Sequence, residues 1–94
     1  MLTDIQKRYV ETTDEVMRQT VIRMICLADN LNRAIVPFPT SDVVPGDNYQ
    51  LRQRRDELLA AIKELSNFVS MSDISKLRVK YGIDIFKGKF YDNR

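Results

Sequence analysis

Histidine is absent from this 94-residue chain, and with it go the commonest general base and every Ser/His or Cys/His nucleophile arrangement. The one cysteine, Cys26, has no partner for an internal disulfide, and a single thiol without imidazoles cannot make up a zinc ligand set. Only three glycines occur, Gly46, Gly82 and Gly88, and their spacing matches no phosphate-cradling loop. The densest apolar run, "VIRMICLA" from Val21 to Ala28, is interrupted by Arg23 and falls far short of the ~20 residues that cross a bilayer. The N-terminal "MLTDIQKRYVE" contains no apolar signal core. These absences predict a protein with no catalytic, cofactor-binding or metal-binding residue and no membrane association, working in a reducing, cytoplasmic or nuclear compartment.

What is present predicts a folded chain. Hydrophobic residues make up 44% and charged residues 30%, too apolar a mixture for disorder. The length allows one small domain of modest stability, to which a partner or self-association would add.

Residues 1–35 contain neither Gly nor Pro, and Thr3 with Gln6 has the spacing of a capping box, so a helix starts there. Thr12 with Glu15 repeats the signal and predicts a break or kink near Thr12 and Thr13, with a long helix following. Val10, Met17, Val21, Met24, Ala28, Leu31 and Ile35 recur at threes and fours along one face. Ile22, Ile25, Cys26 and Leu27 widen that face until mid-helix is apolar nearly all round, which predicts a buried, inert Cys26 thiol. One neighbouring helix cannot cover such a surface. A homodimer, or docking on another protein, is the expected consequence, with Met17, Val21, Met24, Ile25 and Leu31 at the interface.

Pro37 and Pro39 end the first helix and Pro45-Gly46 reads as a turn, so residues 36–48 form a loop, packed or used for binding through Val36, Phe38, Val43 and Val44. Asp47 or Asn48 then caps a second helix over 49–70, antiparallel to the first, with Leu51, Leu58, Ile62, Leu65 and Val69 in a stripe near the heptad period. Ser70 with Asp73 opens a short third helix that Gly82 closes, its apolar face made of Ile74, Leu77 and Tyr81. Beyond it lies either a small hairpin turning at Lys87-Gly88, with Ile85 and Phe86 facing Phe90 and Lys89, or an extended tail. The expected fold is all-α: an antiparallel helical hairpin in one domain over residues 1–94, with short flanking helices.

Charge is unevenly spread. The carboxylates Asp14, Glu15, Asp56, Glu57 and Glu64 fall on polar helical positions, where intrahelical pairing accounts for them. Residues 71–94 hold six basic against three acidic residues, so a net charge of +2 conceals a positive C-terminal end. Arg52, Arg54 and Arg55 sit near the expected start of the second helix, where the macrodipole disfavours cations. They call either for salt bridges with Asp47, Asp56 or the facing helix, or for an anionic partner.

The stretch "SDISKLRVKYGIDIFKGKFYD" resembles the end of a winged helix-turn-helix domain: a helix carrying Lys76, Arg78 and Lys80, then a wing tipped by Lys87-Gly88-Lys89. The resemblance implies a recognition helix in the major groove and wing contacts to the backbone. It covers the last quarter of the chain and departs from the pattern at Arg78, where a small residue normally permits the tight helix crossing. Tyr81, Phe86, Phe90 and Tyr91 could stack on single-stranded bases, but their mixed spacing fits burial against the helices better. The sequence thus predicts a non-enzymatic protein-binding module, an adaptor, inhibitor or regulatory subunit that self-associates. The alternative is a small nucleic-acid-binding regulator acting through Arg52, Arg54, Arg55, Lys76, Arg78, Lys80, Lys87 and Lys89.

Overall fold

The computed structural model describes residues 1–36 and 45–92, with the backbone alone at 45–47. Helix α1 runs over Asp4–Ala34, α2 over Pro45–Glu64 and α3 over Met71–Tyr81, with a 3₁₀ turn at Ser66–Phe68; a two-stranded antiparallel hairpin, β1 (Ile83–Asp84) and β2 (Lys89–Phe90), ends the fold. The all-α hairpin architecture is as the sequence predicts. The molecule is a rod of 62 × 23 × 16 Å, because α1 with 31 residues is about 46 Å long at 1.5 Å per residue.

α1 opens on the expected capping box. Thr3 Oγ1 accepts from the Gln6 N–H, and the Gln6 side chain accepts from the Thr3 N–H. The expected break at Thr12 and Thr13 does not occur. Their hydroxyls donate back to the carbonyl oxygens of Arg8 and Tyr9 at 2.8 Å each, a bond that a continuous helix accommodates. The stretch expected as two helices is therefore one.

α2 begins earlier and stops sooner than 49–70. Pro45 opens it, where a missing N–H carries no penalty, so Pro45-Gly46 is a helix start and not a turn. Asn48 does not cap its own helix: its Oδ1 accepts from the Val36 N–H and its Nδ2 donates to the Val36 oxygen, at 3.2 and 2.8 Å. That pair of bonds, 3% exposed at Asn48, ties the end of α1 to the first turn of α2. The rest of the 36–48 loop expectation, Phe38, Val43 and Val44 included, lies outside the described residues. At the other end α2 stops at Glu64, and the chain turns through Ser66–Phe68 to Val69.

α3 carries the second expected capping box, Ser70 with Asp73, and closes on Gly82 in the left-handed conformation at φ +65°. The hairpin forms, with Ile83 opposite Phe90 and Asp84 opposite Lys89, a different register from the expected one. Ile85 lies in the turn and is buried, while Phe86 is half exposed.

The core gathers Val21, Ile25 and Ala28 of α1, Leu59 and Ile62 of α2, then Val69, Ile74, Leu77, Ile83, Ile85 and Phe90. All its α1 members come from the C-terminal half of that helix. Among the described residues four polar ones, Asp29, Asn32, Asn48 and Arg55, are buried with it. Asp29 is paired with Arg33 at 3.0 Å, Asn48 is held as above, and Asn32 Oδ1 accepts from Arg55 Nη1 at 2.8 Å while its Nδ2 donates to the Asp92 oxygen at 2.9 Å.

Candidate interaction surface

Every residue from Met1 to Val16 is exposed. The N-terminal half of α1 is thus an arm standing clear of the body, and the body begins where Arg18 is held. Arg18 Nε donates to Asp73 Oδ2 at 2.7 Å and its Nη2 to Oδ1 at 3.0 Å, a bidentate fork joining α1 to the first turn of α3. The hydrogen-bonded guanidinium holds the Asp73 carboxyl well below the usual carboxylate range, against the opposing effect of burial, and the carboxylate raises the Arg18 pKa in turn.

Helical spacing shows what the arm is. The core face of α1 follows Val21, Ile25, Ala28 and Asn32 at steps of four, three and four; continued backwards it passes through Arg18, Asp14, Glu11, Lys7 and Asp4. One face is therefore apolar in the body and charged in the arm. Val10 apart, the large apolar residues from Leu2 to Val16 lie elsewhere: Leu2, Ile5, Tyr9 and Val16 are 50%, 68%, 70% and 55% exposed and follow a different line of threes and fours. That line runs on to Leu27, 55% exposed, and to Leu31. There it meets α2, and Leu27, Asn30, Leu31, Arg54, Glu57 and Leu58 line an open groove of about 600 Å³. The arm is not an overhang whose core-facing stripe lacks a cover, since its apolar side points away from the core direction.

The interface expected from sequence is corrected by this arrangement. Val21 and Ile25 are fully buried inside the chain's own core and unavailable to a partner; Met24 packs partly against that core, and Met17 and Leu31 are half-buried. Of the seven-residue stripe from Val10 to Ile35, Val21, Ala28 and Ile35 are buried, whereas Val10, on the same side but out on the arm, is 47% exposed. Cys26, expected to be buried, is exposed, because α1 is not surrounded on all sides.

The three arginines of α2 separate. With the helix beginning at Pro45 they lie beyond its first turns, so the macrodipole argument loses its premise. Arg55 is 3% exposed and hydrogen-bonds Asn32 and, through Nε at 3.0 Å, Asp56, and is thus no contact for an anionic partner. Arg54 pairs with Glu57 at 3.5 Å on the groove rim, and Arg52 is exposed.

Lys76, Arg78, Lys80, Lys87 and Lys89 are all exposed, with the Lys80 ammonium 5.3 Å from the Tyr81 ring centre. The implied wing does not project. Its tip lies on α2, so close that a Cβ added at Gly88 would stand 3.0 Å from the Leu59 carbonyl oxygen and 3.2 Å from Lys63 Cβ. Of the four aromatics, Phe90 is buried and Tyr81 half-buried, while Phe86 and Tyr91 are largely exposed. Among the described residues no group of three or more His, Cys, Asp or Glu is placed to hold a metal ion, and no helix is long and apolar enough to cross a membrane.

Comparison with protein-family models, curated proteins and solved structures gives no match for this chain. Sequence reasoning missed the arm's own apolar line, whose signal is that five of the seven charges of residues 4–18, Arg8 and Glu15 being the exceptions, fall on the core line and leave Leu2, Ile5, Tyr9 and Val16 on another.

Proposed function

We propose that this chain is a non-enzymatic protein-binding module whose working surface is the outer apolar face of α1. The observation that carries this reading is the free arm: half of a long helix stands in solvent with four large apolar residues on one line, and most of its charges on the side continuous with the core. Monomeric proteins rarely leave contiguous apolar surface of this kind without a binding use, and a helix presenting anchors at i, i+3 and i+7 is suited to a groove or a second helix.

A second reading has its own support. Among the described residues, five cations at the C-terminal end stand in solvent, a footprint suited to phosphate. The two readings part in one experiment, a pull-down of tagged chain from its host with and without nuclease, beside the variant Tyr9→Glu and the joint variant Lys76→Ala, Lys80→Ala, Lys87→Ala, Lys89→Ala. Protein retained after nuclease treatment, lost in Tyr9→Glu and kept in the quadruple variant, is the expected outcome. Nucleic acid lost only in the quadruple variant, its binding falling steeply with salt at about 0.9 log units per phosphate contact, would overturn the protein-binding reading.

A further inference from the structure

Resting on the binding-module reading, we infer that the partner of the α1 face is a second copy of this chain, its α1 laid antiparallel so that each arm fills the other's groove. The spacing along the exposed line carries the inference. From Ile5 through Tyr9, Thr13, Val16, Thr20 and Arg23 to Leu27 and Leu31 the steps are four, four, three, four, three, four and four. This series reads the same in both directions.

A two-fold axis between antiparallel helices demands that symmetry, because residue i of one copy must meet its mirror position on the other. Here the symmetry pairs Ile5 with Leu31 of the second copy, Tyr9 with Leu27, and Val16 with Thr20. The exposed arm anchors therefore meet the residues that line the groove, while the smaller Thr13, Val16 and Thr20 occupy the middle, where helix axes cross closest. Among the described residues the arm and the groove share one apolar line on α1, and one symmetric pairing covers both; Met71 and Val79 of α3, also exposed, lie outside it.

Charge does not oppose it. Of the eight residues on this line only Arg23 is charged, and it lies opposite Thr13; Asp4, Lys7, Glu11 and Asp14 face away. Size is adequate as well. From Ile5 to Leu31 the seam is about 39 Å long and about 10 Å wide, on the order of 800 Å² from both α1 faces. The α2 wall at Arg54, Glu57 and Leu58 brings the contact to the ~1,000 Å² that a specific interface requires.

The test uses the full chain in sedimentation and light scattering over a range of concentration, with disulfide trapping in a Cys26→Ser background. A dimer is expected for the wild type. Tyr9→Glu and Leu27→Glu, both at exposed positions, should weaken it about 100-fold or more by burying an unpaired charge and leave the helical circular-dichroism signal of the monomer unchanged. Thr13→Cys mixed with Arg23→Cys should give a cross-linked pair. Neither alone should, since each thiol would then lie ten residues, about 15 Å, from its copy, beyond disulfide reach.

Efficient trapping of either variant alone would indicate a parallel pairing and overturn the inference. So would a wild type that stays monomeric at high micromolar concentration. If that monomer still retains another protein through Tyr9, the binding-module reading stands and the second copy is excluded; if it retains none, both fall.

Discussion

At the scale of single residues, two glycines and one arginine show how local geometry decides what a position tolerates. Gly82 and Gly88 share a positive φ, +65° and +63°, but a Cβ at Gly82 meets open space whereas one at Gly88 meets the Leu59 carbonyl oxygen at 3.0 Å. Gly82→Ala should therefore cost about 1–2 kcal/mol, the left-handed penalty alone. Gly88→Ala adds a backbone clash that only a shift of the hairpin off α2 relieves, so its urea midpoint should fall further than that of Gly82→Ala; equal midpoints would refute the close packing. The sequence leaves Arg55 either to salt bridges with Asp56 or the facing helix or to an anionic partner, and the first holds: its Nε pairs with Asp56 at 3.0 Å and its Nη1 donates to Asn32 of α1. In the fold it fills a position between Leu51 and Leu58 on the inner face of α2, and Asn32 supplies the acceptor. Asn32→Ala should destabilise by about 1–3 kcal/mol in denaturant titration, since it leaves a buried guanidinium short of one partner.

Secondary-structure elements were legible where their signals are short-range. Both capping boxes and the glycine closing α3 depend on residues three or four apart, and all three form as the spacing predicts. Thr12, Thr13 and Asn48 misled because the same side chains have two outlets, capping their own backbone or bonding elsewhere. The threonines bond back into α1, and Asn48 serves the end of the other helix. The face assignment of α1 failed for a related reason: a helix with two apolar lines offers averaged periodicity, and only tertiary packing selects Val21, Ile25 and Ala28 as the core line. Between elements, the Arg18–Asp73 fork joins α1 to α3, and its pH behaviour follows from sign. The Asp73 carboxyl is depressed in the folded state by Arg18, so the unfolded chain, with a carboxyl of ordinary pKa near ~4, takes up the proton first. The stabilisation is complete above that value and is lost as pH falls through and below it. Asp73→Asn should flatten the decline in stability on acidification below about pH 4; a midpoint-versus-pH curve parallel to wild type would show that the fork contributes nothing.

At the scale of the whole molecule, the rod has two parts with different sources of order. Among the described residues the body is held by a core, four buried polar residues and the hairpin, whereas the arm has its capping box, its own helical bonds, the Glu15–Arg18 pair at 3.2 Å and continuity with the body. An isolated helix of about 16 residues is marginal in water, so in a single copy the arm should fray from its N-terminal end while Val21 onward stays closed. No sequence pattern could announce this division, because it depends on where α2 and α3 end in space relative to α1; the body's packing decides it, and the arm is what remains. Hydrogen exchange measures the division directly. In dilute solution the amides of residues 8–17 should exchange with low protection and those of 25–32 with the protection of the global fold. Raising the concentration should then slow exchange in the arm and at Leu27 together, because one symmetric contact covers both, and Tyr9→Glu should abolish the dependence at both places. Protection that rises in the arm alone would indicate arms pairing with each other away from the groove. Arm amides already protected at the lowest concentration, in a chain shown to be monomeric there, would mean that the helix is stable without a partner, and would remove the physical reason for expecting one.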